Sequence, residues 1–482
     1  MPTDSPATDA VPETYRGLVL DRFQREALAA IAAGQSVLVS APTGTGKTLI
    51  ADHLVEQALA AGQRVVYTSP LKALSNQKFD EYSALCGAEH VGLVTGDVAV
   101  RPEAPLCIMT TEILRNQLIT GDERLHDLAW VIFDEIHYIA SDRGIAWEES
   151  IILLPPGVRV LGLSATVRNL DALAAWIAES TGTPVACVRE HRRAVPLRVR
   201  YVTPDGVCTF AEARRFGRGE GEIRRLDHLE LVRVLQREEA LPALYFVFSR
   251  LGTEARAREA AEHLDLLSRP ERRELEAALR ELEVRYPGAR ELRGRLGECL
   301  LRGIGYHHAG LLPATKRAVE TLYGRGLIRL LYCTETFALG VNYPVRGVAL
   351  ESPRKFDGTE FRALTAQEFQ QMTGRAGRRG KDARGLCFVG VDRRGAAELA
   401  DYTALPLEPV DSQFFVTEST ALNLLRTFGF DRALDVLARN FREFQRRAAR
   451  EREERHLEEL QAERAALVER GCPHLGTAAC PL

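Results

Sequence analysis

The sequence has little net charge and lacks long apolar runs. Its 63 basic and 66 acidic residues leave a formal net charge of -3 over 482 residues. The field of the whole protein therefore attracts neither a nucleic acid nor a membrane surface, and a polyanionic partner would have to be held by a local groove. Apolar stretches fall short of the ~18 residues that a membrane-spanning helix needs. We expect a soluble protein without a membrane partner.

The amino terminus also lacks the signs of a secretory signal. The opening "MPTDSPATDAVPET" has neither a basic start nor an apolar stretch, so we expect residues 1–17 to form a disordered tail. Nine cysteines are scattered along the chain, several of them in apolar runs (Cys107, Cys333, Cys387). This pattern favours buried thiols in a reducing compartment, and it predicts a cytoplasmic protein.

The carboxyl terminus offers Cys472, His474 and Cys480 as possible metal ligands. A structural zinc site takes four ligands, so three favour a tail that binds no metal. Zinc binding stays open as the alternative.

Short β-branched runs recur along the chain, and each is followed by a polar turn and a helical stretch. "SVLVSAP", "RVVYTSP" and "WVIFDE" are examples. This alternation predicts an α/β fold with parallel sheets and crossover helices. The length exceeds what one hydrophobic core usually supports, so we expect two similar domains. The predicted division is a first domain at 18–190, a connector at 191–240, a second domain at 241–425 with a helical insertion near 254–302, and a helical segment at 426–482.

The stretch "APTGTGKT" stands where an apolar run ends and a helical pattern begins. Small residues let backbone N–H groups face phosphates, and the helix amino terminus adds its dipole. Lys47 is expected to reach the β- and γ-phosphates, and the Thr48 hydroxyl to ligate Mg²⁺. Ala41 replaces the first glycine of the strict motif, and a plain turn is the alternative. The predicted phosphate loop comprises Ala41, Pro42, Thr43, Gly44, Thr45, Gly46, Lys47 and Thr48.

Two further stretches favour ATP as the nucleotide. "VIFDEIH" places Asp134 and Glu135 at the end of a buried strand, where a parallel sheet forms its ligand crevice. One carboxylate can hold the metal while the other polarises water, although adjacent acids are also common at surface turns. Upstream, Phe23 is predicted to stack on a base and Gln24 to bond an adenine edge. An aromatic beside a glutamine is more often part of a helix core.

The stretch "QQMTGRAGRRG" supplies arginines from the second domain. Gln371, Arg375 and Arg378 are spaced so that they could project from one helical face. Such a face would complete the phosphate site, and an arginine finger of this kind is worth about 10³–10⁵ in rate. Hydrolysis would then be coupled to closure between the domains. A solvated basic loop is the alternative.

Taken together, these stretches resemble the superfamily 2 DExH-box helicases, and among them the Ski2-like family with the Ski2 and Mtr4 RNA helicases. The likeness extends over residues 18–444 and also rests on "YTSPLKALSNQKF", "GLVTGDV", "MTTEILRNQL", "LSAT", "YFVFSR", "GIGYHHAGLLP" and "TETFALGVNYP". The resemblance implies two RecA-like domains that close on ATP, Mg²⁺ and a single strand, with 3′-to-5′ movement.

The resemblance also implies a role for each matching residue. It makes Glu135 the general base and gives the Mg²⁺ to Thr48 and, through water, to Asp134. Residues that couple the nucleotide to the strand would be His137, Ser164, Ala165 and Thr166. Residues that border or complete the nucleotide site would be Gly340, Asn342, Gln371, Arg375 and Arg378. The strand would run over Ser69, Pro70, Gly96, Asp97, Thr110, Thr111, Ser249, Arg250, Thr334 and Thr336, which are mostly small polar residues suited to sequence-blind binding of the backbone.

Two features set limits to the resemblance. Residues 354–362, with Phe356 and Phe361, match the family's strand-separating hairpin, but they could equally form an ordinary loop. The large arch insertion of Ski2 and Mtr4 is missing, and too few residues follow 425 for both the winged-helix and the ratchet domain. The sequence therefore predicts a compact or truncated relative.

The sequence thus predicts an ATP-dependent 3′-to-5′ RNA helicase that acts in RNA processing or decay. One alternative keeps the motor and changes the strand, as in a DNA repair helicase of the Hel308-like branch. The other is an ATP-gated clamp on nucleic acid that does not unwind it. Motor motifs mostly touch the backbone, so RNA and DNA are poorly separated; a preference for 2′-OH groups would decide for RNA.

Overall fold

The structure is a computed structural model that describes residues 11–218, 226–340, 343–397, 399–402 and 404–469. These residues form two largely parallel β-sheets flanked by helices, followed by a helical segment. The predicted α/β class with tandem RecA-like domains is confirmed. Within the described ranges, the structure contains no helix long and apolar enough to cross a membrane.

The first domain contains one parallel sheet and a small amino-terminal hairpin. Its strands are β1 (Thr14–Tyr15), β2 (Leu18–Val19), β3 (Ser36–Ser40), β4 (Arg64–Ser69), β5 (Val91–Val94), β6 (Ala99–Val100), β7 (Leu106–Thr110), β8 (Leu128–Asp134), β9 (Arg159–Ser164) and β10 (Val185–Arg189). Its helices are α1 (Arg22–Ala32), α2 (Thr48–Ala60), α3 (Lys72–Cys86), α4 (Thr111–Thr120), α5 (Ile145–Ile152) and α6 (Leu170–Thr181).

The strand order of this sheet brings the functional loops to one edge. The order is β10-β3-β9-β8-β4-β7-β5-β6, and the pairs are parallel apart from β5 with β6. All five residues of β3 are buried, as expected for a strand that is covered on both faces. Because parallel strands end at the same edge, the loops after β3, β4, β7, β8 and β9 lie close together.

The second domain repeats this plan. Its strands are β11 (Leu197–Thr203), β12 (Gly206–Cys208), β13 (Ala243–Phe246), β14 (Ile304–His307), β15 (Leu330–Cys333), β16 (Gly347–Leu350), β17 (Arg354–Phe356), β18 (Phe361–Ala363) and β19 (Gly385–Gly390). Its helices are α7 (Phe210–Arg218), α8 (His228–Arg237), α9 (Arg250–His263), α10 (Arg269–Arg285), α11 (Arg295–Leu300), α12 (Pro313–Gly324), α13 (Glu335–Gly340), α14 (Ala366–Thr373) and α15 (Arg393–Ala397). The sheet order is β12-β11-β19-β16-β13-β15-β14, while β17 and β18 form a separate hairpin.

The connector predicted at 191–240 is wrong over most of its length. Strand β11 pairs in parallel with β19, and α8 buries Leu231, Val232 and Leu235 in the core of the second domain. The charged residues of this stretch lie on the outer faces of amphipathic helices, which concealed the elements. The second domain therefore begins near Leu197. Helices α9, α10 and α11 occupy the region where a helical insertion was expected.

The tail predicted at 1–17 is also wrong at its end. Thr14 and Tyr15 pair with β2, and the Tyr15 hydroxyl donates a hydrogen bond of 2.5 Å to Glu56 in α2. These contacts fix residues next to α1 against the first domain.

The carboxyl-terminal helices return to the first domain. They are α16 (Glu418–Phe428), α17 (Phe430–Ala438) and α18 (Phe441–Glu469), so the segment begins before residue 426. The indole Nε1 of Trp176 in α6 donates to the carbonyl of Arg439 at 2.8 Å, and the buried carboxylate of Glu148 in α5 accepts from the Phe441 amide at 2.7 Å. The residues 470–482, including the possible ligands Cys472, His474 and Cys480, lie outside the described ranges.

Candidate nucleotide site and strand-binding face

The loop between β3 and α2 has the backbone that its glycines predict. Gly44 and Gly46 have φ values of +80° and +84°, a left-handed conformation that side chains rarely adopt. A Cβ atom on Gly46 would lie 2.9 Å from the Gln24 Nε2 atom. The loop therefore passes against the end of the Gln24 side chain in α1, which a Cβ atom at position 46 would displace. Its Thr45 hydroxyl donates to the Pro42 carbonyl at 2.7 Å, which fixes the turn from within.

Lys47 is folded over the loop that precedes it. Its Nζ atom donates to the carbonyls of Ala41 at 2.7 Å and Pro42 at 3.2 Å. Burial lowers the pKa of this ammonium group, while Glu135 and Asp134 oppose the shift. The positive charge is thus held in place mainly by neutral carbonyl groups.

Gln24 in α1 holds the predicted phosphate loop by a hydrogen bond. Its side chain accepts a hydrogen bond from the Asp21 amide at 2.7 Å and donates to the Gly46 carbonyl at 2.9 Å. Both ends of the amide are therefore engaged within the protein, so the predicted bond to an adenine edge would require one of them to be given up. Phe23 is 3% exposed and packs in the core of the first domain, which matches the helix-core alternative better than base stacking.

Asp134 and Glu135 follow the central strand β8. The Asp134 carboxylate accepts from the Tyr67 hydroxyl at 2.7 Å, and burial, with Glu135 as the next cause, raises its pKa. Glu135 has a φ of +53°, which is uncommon outside glycine. Its Oε2 atom is buried and lacks a hydrogen bond within the described part of the chain.

His137 joins the two domains. Its Nε2 atom lies 3.0 Å from the amide nitrogen of Gln371 in the second domain, and its Nδ1 atom lies 3.3 Å from the Ser164 hydroxyl. Burial lowers the pKa of His137 to about 4, so the ring is neutral at physiological pH. Because the Gln371 amide donates to Nε2, the ring proton sits on Nδ1, which also lies 3.4 Å from Glu135 Oε2. The neighbouring Ala165 and Thr166 line a separate cavity with Gln371.

The predicted helical face of Gln371, Arg375 and Arg378 does not form. Helix α14 ends at Thr373, and both arginines lie beyond it. Arg375 still lines a cavity together with Lys47 and Glu135 of the first domain. Its guanidinium donates to the Ala338 carbonyl at 3.1 Å. Arg378 instead pairs with Asp382 in its own domain, at 2.8 and 2.9 Å. An acid four residues away offers this guanidinium a local partner that the motif alone did not reveal.

The two residues expected beside the nucleotide after β15 are only partly placed. Gly340 ends α13, and Asn342 lies outside the described residues.

The strand-binding residues predicted in the first domain lie at adjacent strand ends. Ser69 and Thr110 are register partners at the ends of β4 and β7. Ser69, Thr110 and Thr111 are buried, and the Ser69 hydroxyl is bonded to Ser75 at 2.7 Å. Their side chains therefore face the protein in this arrangement.

Nearby residues of the same edge are more accessible. The Pro70 carbonyl accepts from the Arg143 guanidinium at 3.2 Å, and the exposed Asp97, next to Gly96, pairs with Lys72 at 2.6 Å. Lys72 and Arg143 were absent from the predicted set, although both are cations beside it.

The strand-binding residues predicted in the second domain also follow the ends of adjacent strands. Strands β13 and β15 pair with Phe246 opposite Cys333, which brings the following loops together. Ser249 is exposed and caps α9 by accepting from the Gly252 amide, beside the exposed Arg250. The hydroxyls of Thr334 and Thr336 lie 2.9 Å apart.

Residues 354–363 form a true hairpin of β17 and β18. Phe356 and Phe361 are register partners at its end, exposed by 51% and 64%, with ring centroids 5.4 Å apart. Exposed aromatic pairs can stack on bases.

Comparison with known proteins identifies the first domain. Residues 21–173 match the family described as DEAD/DEAH box helicase. These residues are thus similar to a helicase domain of this family. Its relatives agree with the Ski2-like resemblance, which is confirmed. Human exosome RNA helicase MTR4 is 38% identical over 85% of this chain and 42% of its own length. Human Superkiller complex protein 2 is 38% identical over 93% and 39%, and the probable helicase HelY of Mycobacterium leprae is 38% identical over 88% and 51%. The chain thus spans about half, or less, of the length of these relatives.

The helicase family implies the use of ATP, generally with Mg²⁺. The residues of one cavity between the domains fit a bound Mg²⁺–ATP. This cavity is lined by Thr43, Gly44, Gly46, Lys47, Thr48, Leu74, Lys78, Asp134, Glu135 and Arg375. Hydroxyl and carboxylate oxygens are the donors that Mg²⁺ prefers, and the buried Glu135 Oε2 lacks a hydrogen bond among the described residues. The three cations of the cavity suit phosphate oxygens.

Arg379 makes a contact between the two domains that the sequence did not predict. Its guanidinium reaches from the second domain to the Asp21 carboxylate at 2.9 and 3.0 Å, and to the Thr45 carbonyl at 3.4 Å. The basic run "GRAGRRG" indicated that this segment could meet the nucleotide site. The turn after α14 decides which of its arginines contacts the first domain.

Proposed function

We propose that the chain is the motor part of an ATP-dependent RNA helicase that moves 3′-to-5′ and serves RNA processing or decay. The observation that carries the proposal is the shared cavity. Arg375 of the second domain lines it together with Lys47, Asp134 and Glu135 of the first. Closure of the domains and completion of the site are therefore one event. The names of the relatives support RNA as the strand, since one is called an exosome RNA helicase.

Five residues of the cavity then have distinct tasks. Bound Mg²⁺–ATP would supply the phosphoanhydride bond whose hydrolysis drives the cycle. Lys47 would bind phosphate oxygens in exchange for its loop carbonyls, while Thr48 and, through water, Asp134 would hold the metal. Glu135 accepts a proton from the attacking water, while Arg375 offsets the negative charge that develops.

His137 links the general base to the second domain. The neutral ring lies between Glu135 and Gln371, at 3.4 and 3.0 Å. A rotation of the second domain that moves Gln371 therefore reorients the His137 ring. This rotation changes the position of His137 Nδ1 relative to the Glu135 carboxylate. This contact supports the predicted coupling role of His137.

The strand is proposed to cross both domains at the loops after β4, β7, β13 and β15. Buried Ser69 and Thr110 would contribute through their backbone, while Ser249, Arg250 and Thr336 are exposed. The hairpin with the exposed Phe356 and Phe361 is proposed to contact unpaired bases. The free cysteines Cys107, Cys333 and Cys387 are buried, which supports a reducing, cytoplasmic setting.

Steady-state ATP hydrolysis tests the proposal. The full chain is assayed alone, with single-stranded RNA and with DNA of matched sequence, at two salt concentrations. Glu135→Gln is compared with Glu123→Gln, a control on the surface of the same domain. We expect stimulation by RNA, preserved in the control and lost in Glu135→Gln. Unwinding of 3′-tailed but not 5′-tailed duplexes would then establish direction.

Two other outcomes identify the alternatives. Equal stimulation by DNA would favour the repair helicase. Strand binding that depends on ATP but persists in Glu135→Gln, without unwinding by the unsubstituted chain, would favour the clamp.

A further inference from the structure

A cluster of polar side chains lies where α8 begins beside α9, on the second domain and away from the nucleotide cavity. His228 Nδ1 is 3.3 Å from Asp227 Oδ1 and 3.7 Å from Glu259 Oε2. One ligand atom from each of the three residues lies within 4.8 Å of the others. Asp227 is exposed and Glu259 is accessible, so the cluster opens to solvent on one side.

His228 is the unusual member of the cluster. It is 3% exposed, and within the described part of the chain neither ring nitrogen has a hydrogen bond. A buried polar group without a partner costs about 1–3 kcal/mol, and native proteins rarely leave one without a compensating ligand or water. Its Nδ1 atom points at the two carboxylates. A neutral imidazole can donate the Nδ1 lone pair to a metal ion.

The charges around His228 do not balance. Asp227, Glu259 and Glu351 each carry a formal negative charge, whereas Arg256 supplies one positive charge. Arg256 pairs with Glu351 at 2.9 Å and lies 3.6 Å from Glu259. With a neutral imidazole the group has a formal charge of three minus one, or two negative charges. A divalent cation would neutralise it.

We propose that Asp227, His228 and Glu259 form a binding site for a divalent transition metal, with Zn²⁺ as its occupant. Zinc takes imidazole nitrogen and carboxylate oxygen at about 2.0–2.2 Å, and ligand atoms around a tetrahedral ion are then about 3.3–3.6 Å apart. Two of the three observed separations, 3.3 and 3.7 Å, are close to this spacing, and the third, between Asp227 and Glu259, is within 4.8 Å. Water would fill the remaining position on the open side. A hard ion such as Mg²⁺ would gain little from the imidazole.

The metal would join two elements of the second domain. Asp227 and His228 stand at the start of α8, and Glu259 lies in α9, whose first residues include the exposed Arg250 of the proposed strand path. A bound ion would therefore stabilise α9 and hold its amino terminus in position. This role is independent of ATP hydrolysis.

The experiment uses the full chain stripped of metal with a chelator. Cys472→Ser, His474→Gln and Cys480→Ser are introduced throughout, so that none of the three possible ligands of the tail can bind zinc. Zn²⁺ is titrated against a competing chelating dye, and the bound metal is counted by elemental analysis after gel filtration. Glu259→Gln is compared with Glu262→Gln, a control on an exposed position of the same helix.

We expect one zinc ion per chain in the parent and in Glu262→Gln. In Glu259→Gln the dissociation constant should rise at least about 10- to 100-fold, since mutation of even an outer partner of a metal ligand has an effect of this size. Zinc should also raise the melting temperature of the parent and the control by mass action, but not that of Glu259→Gln. His228→Ala should abolish binding, yet Glu259→Gln decides the matter because its side chain is not part of the core.

Three outcomes would overturn the proposal. The parent could bind no zinc, Glu259→Gln could bind it as tightly as Glu262→Gln, or Mg²⁺ could compete with Zn²⁺ at equal concentration. In each case the helicase proposal would stand, since hydrolysis is measured separately.

Discussion

The amide nitrogen of Gln371 lies 3.0 Å from Nε2 of His137, across the interface between the two domains. The other ring nitrogen of His137 faces Ser164 and Glu135. A single neutral imidazole therefore connects the second domain with the proposed general base. This arrangement gives domain closure a direct route to the chemistry.

Gln371→Ala should weaken the link without emptying the cavity. A neutral hydrogen bond is worth about 0.5–1.5 kcal/mol, so we expect hydrolysis stimulated by a strand to fall roughly three- to tenfold. Hydrolysis without a strand should change less. The measurement is ATP turnover against RNA concentration, with Gln370→Ala as the neighbouring control. Equal loss in both variants would contradict a specific role for Gln371.

The ion pair between Arg379 and Asp21 is a second contact that is expected to stabilise the closed arrangement of the two domains. Both side chains are partly exposed, at 47% and 40%, and exposed pairs contribute about 0.2–1 kcal/mol. Arg379→Gln and Asp21→Asn should each raise the KM for ATP up to about fivefold, and asparagine still suits the start of α1.

A double-substitution cycle separates this contact from general loss of charge. If the pair acts as a unit, the double variant is no worse than either single one. Arg384→Gln, at an exposed position of the same domain, serves as the control. Full additivity of the two effects would argue against the contact.

Gly374 predicts a steric test of closure. A Cβ atom there would lie 1.8 Å from the Thr43 hydroxyl and 2.7 Å from the Gln370 carbonyl. Gly374→Ala should therefore hold the domains apart and reduce stimulated hydrolysis at least as strongly as Gln371→Ala. The distance between dyes on the two domains, measured by energy transfer with a bound ATP analogue, should increase.

Gly288→Ala is the matched control, because its Cβ would meet Ala314 at an ordinary 3.5 Å. A closed distance in Gly374→Ala would show that the interface can shift to admit the methyl group.

The buried Glu148 predicts a pH dependence of the carboxyl-terminal contact. Burial raises its pKa to about 7, although bonds from Ser412 and Phe441 oppose the shift. A raised carboxyl pKa favours the protonated folded state, so its stabilisation is complete below about pH 4.5 and is lost as the pH rises through about 7. The loss is on the order of 3 kcal/mol.

Unfolding by denaturant between pH 5 and 8 measures this effect. The parent should lose stability with rising pH, and Glu148→Gln should show a smaller slope because the amide does not ionise. Glu123→Gln, at an exposed position of the first domain, is the control for removing one carboxylate. Identical slopes for the parent and Glu148→Gln would exclude the effect.

Much of the fold and of the nucleotide site could be predicted from local sequence. The apolar run of β3, the small residues of the loop and the start of α2 are contiguous, so their pattern alone predicts the sharp turn from strand to helix. The position of Asp134 and Glu135 at the end of β8, beside the loop after β3, could be predicted because a parallel sheet aligns the ends of its strands. The α/β class followed from the same alternation of strands and helices.

What only the tertiary structure decided concerns residues far apart in the chain. Whether Arg375, Arg378 or Arg379 meets the first domain depends on the turn after Thr373 and on a local partner, Asp382. The use of Gln24 as a support for Gly46, and the joining of Asp227 and His228 to Glu259, depend equally on packing. Sequence determines which groups are available within a turn or a strand; only the assembled domains set the distances that decide which of them interact.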